Sequence, residues 1–173
     1  MNMPLREFEG IAPKVAEDAY VDPSAVLIGH VMCGERSGVF PGAVLRADES
    51  SIELGKGSFV LDLSLIEAPS GCPVTIGEGS IISHGAALHG CTIGDSSLVG
   101  IGSIILERAH LGDRCIVAAG SLVPPKAKVE PGSVLMGSPA KKVRDTTEDD
   151  IRALKSEILH LKHKIGRYRQ QME

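Results

Sequence analysis

The sequence predicts an all-β chain, a parallel β-helix closed by a C-terminal α-helix. Three observations predict it. Aliphatic residues recur every six positions from Val21 onward. In the unbroken run of eight hexads from Ile93, seven have a small residue at the fifth position. From Thr147 the pattern changes to apolar residues three and four apart. The 173 residues suffice for one domain, and 43% hydrophobic against 23% charged residues can bury a core. That core is aliphatic, because the chain has 20 Gly but only three Phe, two Tyr and no Trp.

Residues 1–20 lack the beat and are expected to be a lead-in to a β-helix over 21–143, with the terminal helix over 144–173. Hexads open at Val21, Leu27, Cys33, Val39 and Leu45, slip by three, and resume at Leu54, Val60 and Ile66. After four extra residues they open at Ile76, Ile82 and, shortened by one, Leu88. Eight then run unbroken from Ile93, with Ser97, Ser103, Ala109, Cys115, Ser121, Ala127, Ser133 and Pro139 at position five. Position one is expected to point inward and stack on its copies in adjacent coils. Position five is small because it lies inside, near a corner. Three hexads make one triangular coil, so the count predicts about six coils, a prism roughly 30 Å long at the ~4.8 Å spacing of paired strands.

In the tail, Thr147 is the expected N-cap, with Asp150 three residues on as the partner in a capping box. Ile151, Leu154, Ile158, Leu161, Ile165, Tyr168 and Met172 form one narrow stripe, expected to pack along a face of the β-helix.

A net charge of −4 and the scarcity of aromatic rings argue against nucleic-acid binding. No apolar run is long enough for a membrane span, and MNMPLREFEG lacks the apolar stretch of a secretory leader. Cys33, Cys72, Cys91 and Cys115 form no close-spaced framework, so reduced thiols in a cytoplasmic protein are expected. Of six histidines, His84 and His89 in SHGAALHGC stand out. Their spacing spans a hexad corner, so they point outward on adjacent faces. They are either solvated or interface side chains, or they serve a metal held between two subunits.

The HGxxLHGC element, the LRAD segment at Leu45–Asp48 and the MGSPAK exit occur together. With them the chain, from residue 8 to about 150, resembles the γ-class carbonic anhydrase family of hexapeptide-repeat proteins. The resemblance implies a left-handed coil and a homotrimer. It also implies metal sites at the subunit interfaces, with zinc or another divalent transition metal, that convert CO2 and water to bicarbonate. By position, His84 and His89 match two metal-binding histidines contributed by neighbouring subunits. Arg46, Asp48 and Asp62 match residues that order the interface.

Three positions depart from the family. Glu67 stands where the first metal-binding His is expected, while Phe59 and Leu61 replace an Asn and a Gln beside the metal. Two His and one Glu remain an accepted zinc set, so Glu67, His84 and His89 are the expected ligands. The carboxylate lowers the positive charge of the site relative to three histidines. Two other functions are compatible with the coil: an acyltransferase or thioesterase acting on a coenzyme A ester through a histidine base, and a non-catalytic trimeric scaffold.

Overall fold

The protein, a computed structural model, is described over residues 4–172. The chain winds as a left-handed β-helix of about seven turns, followed by one α-helix. Three faces run along the prism. On the first, Tyr20–Val21, Gly38–Val39, Phe59–Val60, Ile81–Ile82, Leu98–Val99, Ile116–Val117 and Ser133–Gly137 stack in that order. The second face carries the parallel strands Leu65–Glu67, Ala87–His89, Ile104–Ile105 and Leu122–Val123. The third carries Val74–Ile76, Thr92–Ile93, His110–Leu111 and Lys128–Val129. Strands Val26–Cys33 and Val44–Leu54 run through the corner between the second and third faces.

The coil begins before Val21. Leu5–Arg6 pairs with Leu27–Ile28, and Lys14–Val15 pairs with Met32–Cys33. The expected lead-in therefore supplies a further turn. A short bridge between Phe8 and Ile11 interrupts its beat. At the other end, Ala140–Asp145 turns back antiparallel on Ser133–Gly137, so Arg144 and Asp145 belong to the last strand and the helix spans Glu148–Met172.

The hexad register is the coil register. Regular coils pair residues 18 apart, as in Thr92 with His110 and His110 with Lys128. The irregular hexads appear as altered steps, Val44 to Leu65, Leu65 to Ala87 and Ala87 to Ile104. The inserted residues, Asp48–Ser51 and Ala68–Pro73, lie at or beside the corner between the second and third faces.

Position-one residues such as Leu45, Ile66, Leu88, Ile105 and Val117 form one continuous aliphatic core. Position five is more than a small residue. The Ser58 hydroxyl donates to Gly77 O (2.6 Å) and accepts from Ser80 N (2.9 Å). Ser80 repeats this with Gly94 O (2.8 Å) and Ser97 N (3.0 Å). A buried hydroxyl must be bonded, and here the bonds stitch one coil to the next.

The helix lies on the first face of its own chain. Leu154, Leu161 and Ile165 pack with Tyr20, Phe40, Phe59, Leu61 and Ile81, with Ile158 and Tyr168 alongside. Four of the five aromatic rings gather here, with centroids 6.1 to 6.4 Å apart. Gly38 makes room for them, since a Cβ there would come within 2.8 Å of Ile165 Cδ1 and Phe59 Cδ1. The side chain of Met172, last of the expected stripe, lies outside the described residues. The capping box forms: Asp150 N donates to Thr147 Oγ1 (3.2 Å) and Thr147 N to Asp150 Oδ2 (2.8 Å). Arg144 grips the same carboxylate with both terminal nitrogens, at 2.6 and 3.0 Å. That guanidinium, and then Thr147, hold the Asp150 carboxyl well below the ordinary carboxylate range. The helix starts beside the later coils, where Arg114 pairs with Glu148, and ends at the first, where Arg169 donates to Asp18 O and Ala19 O. Among the described residues, no helix is long and apolar enough to cross a membrane.

Candidate functional site

In the second face, side chains at one strand position form a column. Register places Arg46 beside Glu67 and Glu67 beside His89 on successive coils. Arg46 lies between two acids, bonding Asp48 Oδ2 through Nη1 (3.0 Å) and Glu67 Oε1 through Nη2. The Asp48 bond, with the charge of Glu67, raises the guanidinium above its ordinary pKa. Glu67 Oε2 is left facing His89 Nε2 at 3.8 Å. The other ring nitrogen of His89 lies 3.2 Å from Glu107 Oε1.

His84 sits at the other end of the face, in the turn before the strand Ala87–His89. Its Nδ1 lies 2.9 Å from Asp62 Oδ2, a neighbour one coil back. The structure thus brings Arg46, Asp48, Glu67 and His89 together and sets His84 and Asp62 apart as a pair. Among the described residues no three His, Cys, Asp or Glu side chains converge as a metal group within one chain.

These donors fit a metal in part. Two ligands sharing a tetrahedral zinc at bonds of about 2.0–2.1 Å stand roughly 3.4 Å apart. Glu67 Oε2 and His89 Nε2 are close to that separation and face each other. Each histidine has a carboxylate at Nδ1, leaving Nε2 as the donor, the usual support of a metal-binding imidazole. Four carboxylates, Asp48, Asp62, Glu67 and Glu107, stand against the single guanidinium of Arg46 in these two clusters. That surplus of negative charge favours a cation. Among the described residues, no third donor joins them within one chain.

Phe59 and Leu61 have another role. Both are buried in the cluster beneath the helix. Their apolar character is explained by packing against Leu161 and Ile165, on a segment about 100 residues away in sequence. Glu107 was not anticipated from motifs. Stacking the hexads into columns would have found it, since its corner follows the strand that pairs with Ala87 and Leu88.

Around the site the second face is apolar and open. Leu63 and Leu65 on the coil before His84, and Ile101 and Ile104 on the coil after, are exposed. Leu63 also adopts a left-handed backbone (φ 59°) in a corner column where Gly42, Gly85, Gly102 and Gly120 do the same. A bulky residue is rare in that conformation.

The coil, its helix and its register define a hexapeptide-repeat protein of the left-handed β-helix class. A family model, bacterial transferase hexapeptide (six repeats), matches residues 90–125. The carnitine operon protein CaiE of Escherichia coli K12 is 40% identical over 144 residues, 83% of this chain and 74% of that one. Gamma carbonic anhydrase 2, mitochondrial, of Arabidopsis thaliana is 37% identical over 146 residues, 81% of this chain. The chain spans about half of that protein, 52%. Among solved structures, a hexapeptide transferase family protein from Anaplasma phagocytophilum superposes with a TM-score of 0.92 at 32% identity, covering 97% of this chain and 99% of that one. A putative acetyltransferase of Bacillus cereus gives 0.95 at 28% identity, covering 99% of both chains. The chain belongs to the hexapeptide-repeat family of left-handed β-helix proteins.

Proposed function

We propose that the protein assembles as a homotrimer, holds a divalent transition metal such as zinc between copies, and interconverts CO2 and bicarbonate there. Glu67 and His89 of one copy and His84 of the next would hold the ion. The observation that carries this reading is the facing pair Glu67 Oε2 and His89 Nε2 at 3.8 Å, in register on adjacent coils. A bound ion of this kind supplies the Lewis acidity that CO2 hydration needs. Arg46, itself held by Asp48, fixes Glu67 through Oε1 and leaves Oε2 turned toward His89. Asp62 holds His84 through Nδ1. Leu63, Leu65, Ile101 and Ile104 would be covered by a second copy and would form apolar walls beside the ion. The four cysteines are free and buried, which supports a reducing compartment such as the cytoplasm.

Metal analysis of protein purified without chelators, followed by a CO2 hydration assay, tests this reading. Zinc near one ion per chain with hydration above the uncatalysed rate supports it. Protein that neither carries nor takes up zinc sinks it.

A second reading is favoured by one observation. The exposed His84 imidazole, backed by Asp62 at 2.9 Å, has the form of a general base. In an acyltransferase or thioesterase it would act on a coenzyme A ester without metal. Acyl transfer or thioester hydrolysis by metal-free protein, lost in His84→Ala, would decide for it.

A further inference from the structure

We infer that Glu107 is the positioning residue that fixes which ring nitrogen of His89 is presented to the site. The inference rests on the metal-site reading above. His89 lies between two carboxylates from the coils on either side. Its Nδ1 is 3.2 Å from Glu107 Oε1, and its Nε2 faces Glu67 Oε2 at 3.8 Å. A neutral imidazole carries one proton. A carboxylate within hydrogen-bond reach of one nitrogen holds the proton there and leaves the lone pair on the other. The closer acid is on the Nδ1 side, so the lone pair of Nε2 is turned toward Glu67.

The backbone holds Glu107 in place for this. It stands in the corner after the strand Ile104–Ile105. The next residue, Arg108, takes a left-handed conformation (φ 58°) and donates its N–H to Gly90 O at 2.6 Å. Gly90 directly follows His89, so the corner that carries Glu107 is tied to the segment that carries the imidazole. From the following coil, Lys126 N donates to Glu107 O at 2.8 Å. The Glu107 side chain is half-exposed and, among the described residues, has no ion-pair partner except His89. Its contribution is thus to the histidine and not to the core.

Asp62 stands in the same relation to His84, at 2.9 Å from Nδ1. Asp62 comes from the coil before its histidine and Glu107 from the coil after. Both imidazoles are held from behind, each by an acid on a neighbouring coil.

The test uses the full-length protein and two variants, Glu107→Leu, which removes the acceptor, and Glu107→Gln, which keeps an acceptor oxygen but not the charge. Nitrogen-15 NMR of the metal-free protein reads the His89 tautomer. The Nδ1–H form is expected in wild type and in Glu107→Gln, and a mixture in Glu107→Leu. Competition for zinc against a chromophoric chelator gives the second readout. A loss of about 10–100-fold in affinity is expected for Glu107→Leu and a smaller loss for Glu107→Gln. Unchanged melting of both variants shows that the coil is intact. A tautomer that does not change in Glu107→Leu overturns the inference, as does zinc affinity unchanged in that variant. Wild-type protein that takes up no zinc overturns the metal-site reading instead, and the tautomer still decides the role of Glu107.

Discussion

On the first face of the prism, Phe59 and Ile81 point outward and are 0% and 1% exposed. On the second face, Leu65 and Ile104 occupy the equivalent place, the residue before position one, and are 44% and 39% exposed. The side chains are of one kind and their surroundings differ. The first face is covered by the chain's own helix. Among the described residues, nothing covers the second, and the second is where the charged column and both histidines sit. An outward apolar column in a solenoid therefore needs a cover, supplied by the chain itself on one face and, on the proposed reading, by another copy on the other.

The largest expected effect comes from uncovering the first face. Ending the chain after Arg144 removes Leu154, Leu161 and Ile165, each worth about 1.5–3 kcal/mol when fully buried. The coil should stay β-structured by circular dichroism, bind a hydrophobic dye, and melt well below the full chain. An unchanged melt would show that the helix contributes nothing to the first face. Next, Leu65→Glu combined with Ile104→Glu places like charges on the second face. Light scattering should then give a single chain instead of about 55 kDa, three times 18.2 kDa. An unchanged mass would show that the copies meet elsewhere.

A smaller effect is expected within the column. Glu67→His removes one of the two acidic partners of Arg46, leaving Asp48, and supplies three histidines, so zinc retention and CO2 hydration near neutral pH should both rise. If neither wild type nor this variant binds zinc, the column is not a metal site. The smallest effect concerns the helix start. The Asp150 carboxyl is depressed in the folded state, so its bonds to Arg144 and Thr147 stabilise fully above the ordinary carboxylate range, near 4. That contribution is lost as pH falls through the depressed value. Helical circular dichroism should show an acid step that Asp150→Asn abolishes.

The hexad beat made most of the fold legible. Six-residue spacing names the inward residues, and stacking does the rest without long-range knowledge. The first turn escaped because the Phe8–Ile11 bridge breaks the beat ahead of Lys14–Val15. The charged column was legible where a motif carries its residues, at Arg46, Asp48 and His89, while His84 stands apart with Asp62. Phe59 and Leu61 were not, because what packs on them belongs to a helix far along the chain. Replacing Leu61 by Gln would therefore bury an amide among apolar groups, at a cost of about 1–3 kcal/mol. Glu107 was missed because motifs run along the chain, whereas its partnership with His89 runs across coils.

The path of the helix has a consequence for how the molecule comes apart. A stack of coils is quasi-one-dimensional, each coil touching only its neighbours, and such stacks fray from their ends. Here the helix leaves the late coils, with Glu148 on Arg114, and returns to the early ones, with Tyr168 on Tyr20 and Arg169 on the carbonyls of Asp18 and Ala19. Losing the terminal coils at either end also costs contacts with the helix. The strap thereby converts a ladder that could melt rung by rung into a unit that opens cooperatively, and amide exchange along the coils should be levelled accordingly.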